Sequence, residues 1–243
     1  MDGLKENFKK FLPYLEDLRR KLYFSTIFFL AVFIIGFFSS AFIIKSVVDI
    51  FRMSGVVIAT TSPFQFADVA MDIGFFSAII STLPIVVFQI FSFASPALTN
   101  REKKWFFLAV PISIIFFLSG FSYGFLILYY SFGLLAKINS GLGVQNIWDV
   151  SSFLSQIFIT SSLLGVVFQF PIILTALIKI GIISRDFLSQ KRRFAYFLVF
   201  VLVSLLPPTD GLSLLAMGLP LVFLYEFTIL INIKKQQHVW IRN

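Results

Sequence analysis

The chain has 243 residues, of which 58% are apolar and only 13% charged, with a formal net charge of +8. A soluble domain of that length carries about a quarter charged residues, so a soluble globular domain is excluded and a membrane domain without a separate soluble unit is expected over 1–243. The absence of Cys and the single His238, in a polar tail, exclude disulfides, thiol catalysis, a histidine metal site and a Ser-His-Asp centre, and no cofactor is implied.

Apolar runs of about twenty residues recur along the whole chain, each long enough to cross a hydrocarbon core of about 30 Å. The charged, amphipathic segment 1–21 has no small-residue cleavage site and is expected to remain on the protein rather than act as a removable signal peptide. A first span is predicted over 22–44, followed by a polar stretch over 45–62. Ser62-Pro63 then opens a second span over 64–93, with Asp68 and Asp72 in its first turns, where carboxylates suit the helix dipole. A connector rich in Arg and Lys leads to a third span over 105–130. A polar loop containing Asn139, Gly141 and Gly143 leads on to a fourth over 150–178. The fifth, 194–206, has only 13 residues before Pro207-Pro208, and the sixth covers 212–231. Thirteen helical residues reach about 20 Å, roughly 10 Å short of a normal core, which calls for a thinned bilayer or a water-reachable hollow beside them. The expected fold is an all-α integral membrane protein of about six transmembrane helices, the two C-terminal ones short.

Orientation follows from the basic residues. Of the 20 Lys and Arg, 17 fall in the N-terminal tail, the second-to-third connector, the fourth-to-fifth loop and the C-terminal tail. Lys45, Arg52 and Lys137 are the three on the opposite side. This asymmetry predicts cytoplasmic termini at both ends and an even number of spans, and it assigns the net charge to topology rather than to nucleic acid.

Polar groups inside spans are functional candidates because lipid penalises them. Gln169 lies in Phe168-Gln169-Phe170-Pro171; it either bonds a neighbouring helix or the carbonyl freed by Pro171, or offers a polar foothold in a concave apolar face. Gln89 carries the same ambiguity. Glu226, about two turns before Lys234, is expected to snorkel to the interface and make a structural or partner contact. On the basic side, Glu16, Asp17 and Glu102 either neutralise adjacent Lys and Arg or form a small acidic site for a cationic ligand. Residue chemistry alone leaves both readings open.

Six ordered motifs resemble those of the TatC family, the multi-spanning core subunit of the twin-arginine protein translocase. They are Leu15-Glu16-Asp17-Leu18-Arg19-Arg20, Ser62-Pro63-Phe64, and Phe93-Ala94-Ser95-Pro96-Ala97-Leu98 with Arg101-Glu102-Lys103-Lys104. Further along stand Phe168-Gln169-Phe170-Pro171, Pro207-Pro208-Thr209-Asp210, and Pro220 with Leu224-Tyr225-Glu226. Some positions depart from the family pattern: Tyr14 replaces a His, Asp17 aligns with a Glu, and Val48-Asp49 stands where Pro-Leu is common. The neutral Gln169 replaces a Glu, and Leu214 a Gln.

The resemblance implies a receptor, not an enzyme, in the cell inner membrane. Such a receptor binds the twin-arginine signal peptides of folded cargo and docks single-span TatA/TatB-type subunits for export driven by the proton gradient; self-association is also expected. It implies a concave scaffold, in which Glu16, Asp17, Arg19, Phe93 and Glu102 form the signal-peptide site. Gln169, Asp210 and Glu226 are then the intramembrane polar or partner contacts. Carboxylates suit the task, since a planar guanidinium pairs with them bidentately in a way Lys does not. A small secondary transporter is the alternative, but acid pairs facing inward and repeated broken helices are not evident. An intramembrane hydrolase would need a Ser-Lys pair, and no span holds a buried Lys.

Overall fold

The structure, a computed structural model, describes the backbone of residues 2–51, 56–94, 100–207 and 210–232. The side chains described are those of the same residues except 2–15, 18, 90–94 and 100–107. Among the described residues, eight helices and two short strands follow in the order α1 (Asp2–Ile50), β1 (Val56–Ala59), α2 (Gln65–Ala94), α3 (Asn100–Gly141), β2 (Asn146–Asp149), α4 (Val150–Val167), α5 (Phe170–Ile180), α6 (Arg185–Gln190), α7 (Arg192–Ser204) and α8 (Gly211–Ile231). Among the described residues, five segments are long and apolar enough to cross a membrane: Arg19–Ile50, Gln65–Gln89, Leu108–Gly141, Val150–Ile180 and Gly211–Ile231. Their surfaces carry Leu, Ile and Phe outward, among them Phe38 at 80% and Phe42 at 76% exposure, as lipid-facing helices require.

Gly211–Ile231 is the shortest of these five segments, and α7 is too short to be among them. α8 has 21 residues, about 31 Å, whereas α7 has 13, about 20 Å. α7 therefore falls short of a full core, as its Pro-terminated sequence predicts.

The structure differs from the sequence reading in two helix ends, a pair of strands and one broken span. α1 runs on to Ile50 and α3 to Gly141, because Lys45 and Lys137 are tolerated on exposed faces at the ends of otherwise apolar helices. Segments read as polar loops instead hold β1 and β2, which pair in parallel from Val56 with Asn146 to Ala59 with Asp149. The fourth span is two helices. Pro171 has no N–H to donate and its ring opposes the carbonyl four residues back, so α4 stops at Val167 and α5 restarts at Phe170. The Gln169 carbonyl accepts from the Ile172 and Ile173 amides at 3.0 and 3.1 Å, closing the first turn of α5. Gly181, at φ 82°, ends α5 with a left-handed cap that other residues adopt at a cost.

Small residues let the long helices approach closely, as membrane helix pairs without a hydrophobic driving force must. Gly74 of α2 lies against α1, where an added Cβ would stand 2.9 Å from the Phe33 carbonyl oxygen. Gly120 and Gly124 of α3 lie against α4. Between the two strands and the bundle sits an aromatic core: Phe51, 1% exposed, has ring centroids 5.1–6.1 Å from Phe125, Tyr129, Phe132 and Phe153. A second core joins α3, α4, α7 and α8 through Leu164, Val203, Met217 and Leu221.

Candidate functional site

The basic end of α1 carries the first group of expected site residues. Glu16, Asp17, Arg19 and Arg20 are all exposed. Lys21 Nζ reaches Asp17 Oδ2 at 2.6 Å, one helical turn away, while Asp17 keeps half of its side-chain surface open to solvent. A half-exposed i,i+4 pair of this kind is worth about 0.3–0.5 kcal/mol, too little to hold the Asp17 carboxylate against a competing cation. Arg19 turns outward from the same segment.

α1 and α2 are antiparallel neighbours. Ser25 Oγ donates to Gln89 Oε1 at 2.9 Å, so Gln89 makes a helix–helix contact. Glu16 and Asp17, about two turns before Ser25, therefore share a side of the molecule with the end of α2, which precedes the connector to α3. Phe93 lies in the last turn of α2 and Glu102 in the first turn of α3, so these two residues flank that connector. Their side chains, with residues 95–99, lie outside the described residues.

Gln169 stands apart from that side, in the break between α4 and α5 and 2% exposed. Its Oε1 accepts from Ser113 Oγ at 2.6 Å, and its Nε2 donates to the Ser113 carbonyl at 3.1 Å and the Gly165 carbonyl at 3.4 Å. The amide is thus committed to α3 and to its own helix, and it carries neither charge nor a mobile proton. Ser113, two residues after Pro111 inside α3, was not legible as its partner.

Glu226 does not reach outward alone. Tyr196 donates its hydroxyl to Glu226 Oε1, and Arg192 Nε lies 3.0 Å from the same oxygen. The guanidinium N–H points off that axis, so the Arg192 contact is an ion pair and not a directed hydrogen bond. The three residues tie the start of α7 to α8. Lys234, the neighbour suggested by the sequence, lies outside the described residues.

At the opposite end two aspartates cap helices. Asp210 precedes α8 and accepts from the Ser213 amide at 2.8 Å; the Ser213 hydroxyl in turn meets that of Ser131 at 2.7 Å. Burial pushes the Asp210 carboxyl up, but hydrogen bonds from Ser213 and from backbone amides outweigh it and hold the group below the ordinary value. Thr160 donates to the Pro207 carbonyl at 2.5 Å and anchors the turn before Asp210 to α4.

Asp149, which sequence reasoning passed over, caps α4 through the Ser152 amide at 2.9 Å. It also accepts from Thr61 Oγ1 at 2.6 Å and from Gln65 Nε2, joining β2 to the start of α2. The Ser152 N–H and the Thr61 hydroxyl hold this carboxyl well below the usual carboxylate range. A lowered folded value means stability that is present above the unfolded value of about 3.9 and is lost as pH falls through the folded one. Asp149→Ala is expected to lower the melting temperature in detergent by a few degrees at pH 7, and Asp149→Asn to flatten the parent's loss of stability below about pH 4. Unchanged melting curves for both variants at both pH values would remove Asp149 from the account of the fold.

Comparison with known proteins follows the same lines as the geometry. Residues 13–220 match the family model described as Sec-independent protein translocase protein (TatC). The Sec-independent protein translocase protein TatCy of Bacillus subtilis strain 168 is 30% identical over 236 residues, covering 96% of this chain and 92% of that protein. A TatC of Helicobacter pylori is 31% identical over 235 residues, covering 92% and 87% respectively. A crystal structure of a twin arginine translocase receptor, TatC, in DDM superimposes with a TM-score of 0.79 at 26% identity, covering 90% of this chain and 98% of that one. A second crystal structure of such a receptor gives a TM-score of 0.72 at 27% identity. A translocase component of this kind is not an enzyme. The chain belongs to the TatC family of Sec-independent protein translocase proteins.

Proposed function

We propose that this chain is the signal-peptide receptor of a twin-arginine translocase. The observation that carries the reading is the pair of solvent-open carboxylates, Glu16 and Asp17, on the basic side of a chain that resembles solved receptors along nine-tenths of its length. Glu102 is the principal ligand of the paired arginines, joined by Asp17 and Glu16, with Arg19 and Phe93 supporting the pocket. The surrounding basic face repels a basic signal at long range, so selectivity arises from short-range carboxylate–guanidinium pairing. Salt relieves that repulsion and weakens the pairing at once.

Single-span TatA/TatB-type subunits then dock on the membrane-embedded surface, and the proton gradient drives passage of the folded cargo. Asp210 and Glu226 hold α8 and α7 in the arrangement those subunits meet, and Gln169 braces the bend between α4 and α5. Because Gln169 is neutral, no proton is carried at that position. With α7 counted as a sixth, shortened span, both termini lie in the cytoplasm beneath the inner membrane.

Two experiments test this reading. In a host lacking its own receptor but holding the single-span subunits, a folded reporter with a twin-arginine signal should be exported and a twin-lysine version should not. Equal export of both would remove the guanidinium selectivity on which the proposal rests. For topology, the Cys-free sequence permits single labels: Leu142→Cys, at an exposed loop position, should react with an impermeant thiol reagent outside intact cells, and Gln190→Cys should not. The reverse pattern would invert the molecule.

A further inference from the structure

A cavity of about 300 Å³ lies between the α4–α5 bend, α6, α7 and α8. Its lining is apolar, including Phe170, Ala195, Leu198, Leu221 and Leu224, and Lys191 is its one charged lining residue among those described. The Tyr225 hydroxyl, the other polar group at its wall, is occupied, donating to the Leu188 carbonyl at 2.8 Å. The interior therefore offers no polar group in need of a partner. Several lining residues also face outward: Phe194, Leu198 and Leu202 are 60%, 43% and 48% exposed, so the cavity opens toward the hydrocarbon of the bilayer.

Charge marks the other end. Lys191 is exposed at the junction of α6 and α7, and its ammonium has no carboxylate partner among the described residues. Of the neighbouring charges, Arg192 is committed to Glu226 and Arg185 lies 3.8 Å from Asp186, while Arg193 is exposed beside Lys191. The arrangement is an apolar slot ending in unneutralised cations on the basic side of the molecule. Its volume of about 300 Å³ is less than that of two turns of a transmembrane helix about 10 Å across. A flexible hydrocarbon chain with an anionic head suits it.

We infer that this cavity holds an acyl chain of an anionic phospholipid whose phosphate is bound by Lys191, with Arg193 adding to the attraction. Basic clefts between membrane helices recognise acidic head groups in this way. A lipid seated here fills the space that α7, at 13 residues, leaves beside the α4–α5 bend, and couples that short helix to the adjacent leaflet.

The test uses the purified full chain in mild detergent, offered equal amounts of phosphatidylglycerol and phosphatidylcholine with identical chains, and reads retained lipid by native mass spectrometry. Phosphatidylglycerol should be retained about fivefold over phosphatidylcholine, and Lys191→Gln should bring that ratio to about one. Ala195→Phe, which fills the slot, should remove retained lipid of both kinds; Leu198→Trp serves as a second filling variant should the first lower the melting temperature. Retention blind to the head group in the parent, or unaffected by both filling variants, overturns the assignment. So does a photo-crosslinker at position 198 that captures a second polypeptide in native membranes instead of phospholipid.

Discussion

Replacing Gly120 with Leu should abolish recovery of folded, monodisperse protein, whereas Gly141→Ala should leave yield and melting temperature unchanged. A Cβ at Gly120 would stand 2.6 Å from the Phe168 ring, 2.8 Å from the Leu164 carbonyl oxygen and 2.8 Å from Phe168 Cβ. Two of these neighbours cannot swing aside, since one is backbone and the other is fixed to it. One turn further on, a Cβ at Gly124 would stand 2.8 Å from the Ser161 Cα. α3 and α4 can separate only by giving up the buried contacts of Leu164 and Phe168 and by pulling Ser113 away from Gln169, which would leave a buried amide without partners. Overpacking alone costs about 1–3 kcal/mol, and an orphaned buried polar group adds about 1–3 kcal/mol. A Cβ at Gly141 meets nothing within 4 Å. Size-exclusion chromatography and thermal unfolding in detergent read both variants. A Gly120→Leu protein that elutes and melts like the parent would show that the α3–α4 approach is not what holds the bundle.

Much of this architecture is written locally in the sequence, and the exceptions share a cause. Long apolar runs and Pro207 fix the long helices and the shortness of α7, because each acts on its own stretch of chain; Pro171 acts locally too, although the sequence reading kept the fourth span whole over 150–178. The strands escape this reading. Each has four residues, flanked by polar loop sequence, and gains its hydrogen bonds only from a partner about ninety positions away. Polar pairs between distant residues escape for the same reason: Ser113 with Gln169, and Tyr196 and Arg192 with Glu226, join residues 30–56 positions apart. Gln169 is an instructive case. Its sequence context allowed either a bond to a neighbouring helix or an open polar foothold, and its three hydrogen bonds match the first. Asp149 was visible as the residue before an apolar run, where a cap to the Ser152 amide is a local signal; its bonds to Thr61 and Gln65, 84–88 positions away, need the folded chain. For the proposed signal-binding residues, the sequence offered carboxylates embedded among arginines and lysines, and the motifs of a family supplied the expectation of what they bind. Glu16 and Asp17 are exposed as a ligand site needs, while the side chains of Glu102 and Phe93 lie outside the described residues.

Glu102→Gln carries the largest functional effect expected. The change keeps the shape and removes the charge, so a charge-assisted bond to a signal guanidinium becomes a neutral one. That loss should cost about 1.5–3 kcal/mol of precursor binding, roughly ten- to a hundredfold in Kd. If Glu102 instead only neutralised Arg101 or Lys103 in solvent, the change would cost under about 1 kcal/mol and leave export nearly intact. The melting temperature of the variant must match the parent, since a folding defect would mimic lost binding. Partner assembly should persist, as should the topology. The direct measurement is the Kd of the purified chain, reconstituted in lipid nanodiscs, for a fluorescent signal peptide carrying Arg-Arg or Lys-Lys, with and without Glu102→Gln. The parent should prefer Arg-Arg by at least about tenfold, and Glu102→Gln should erase most of that preference by weakening Arg-Arg alone. Equal affinity of the parent for the two peptides would contradict the receptor reading itself. A variant that kept the full preference would leave the receptor standing and move its carboxylate to Asp17 or Glu16.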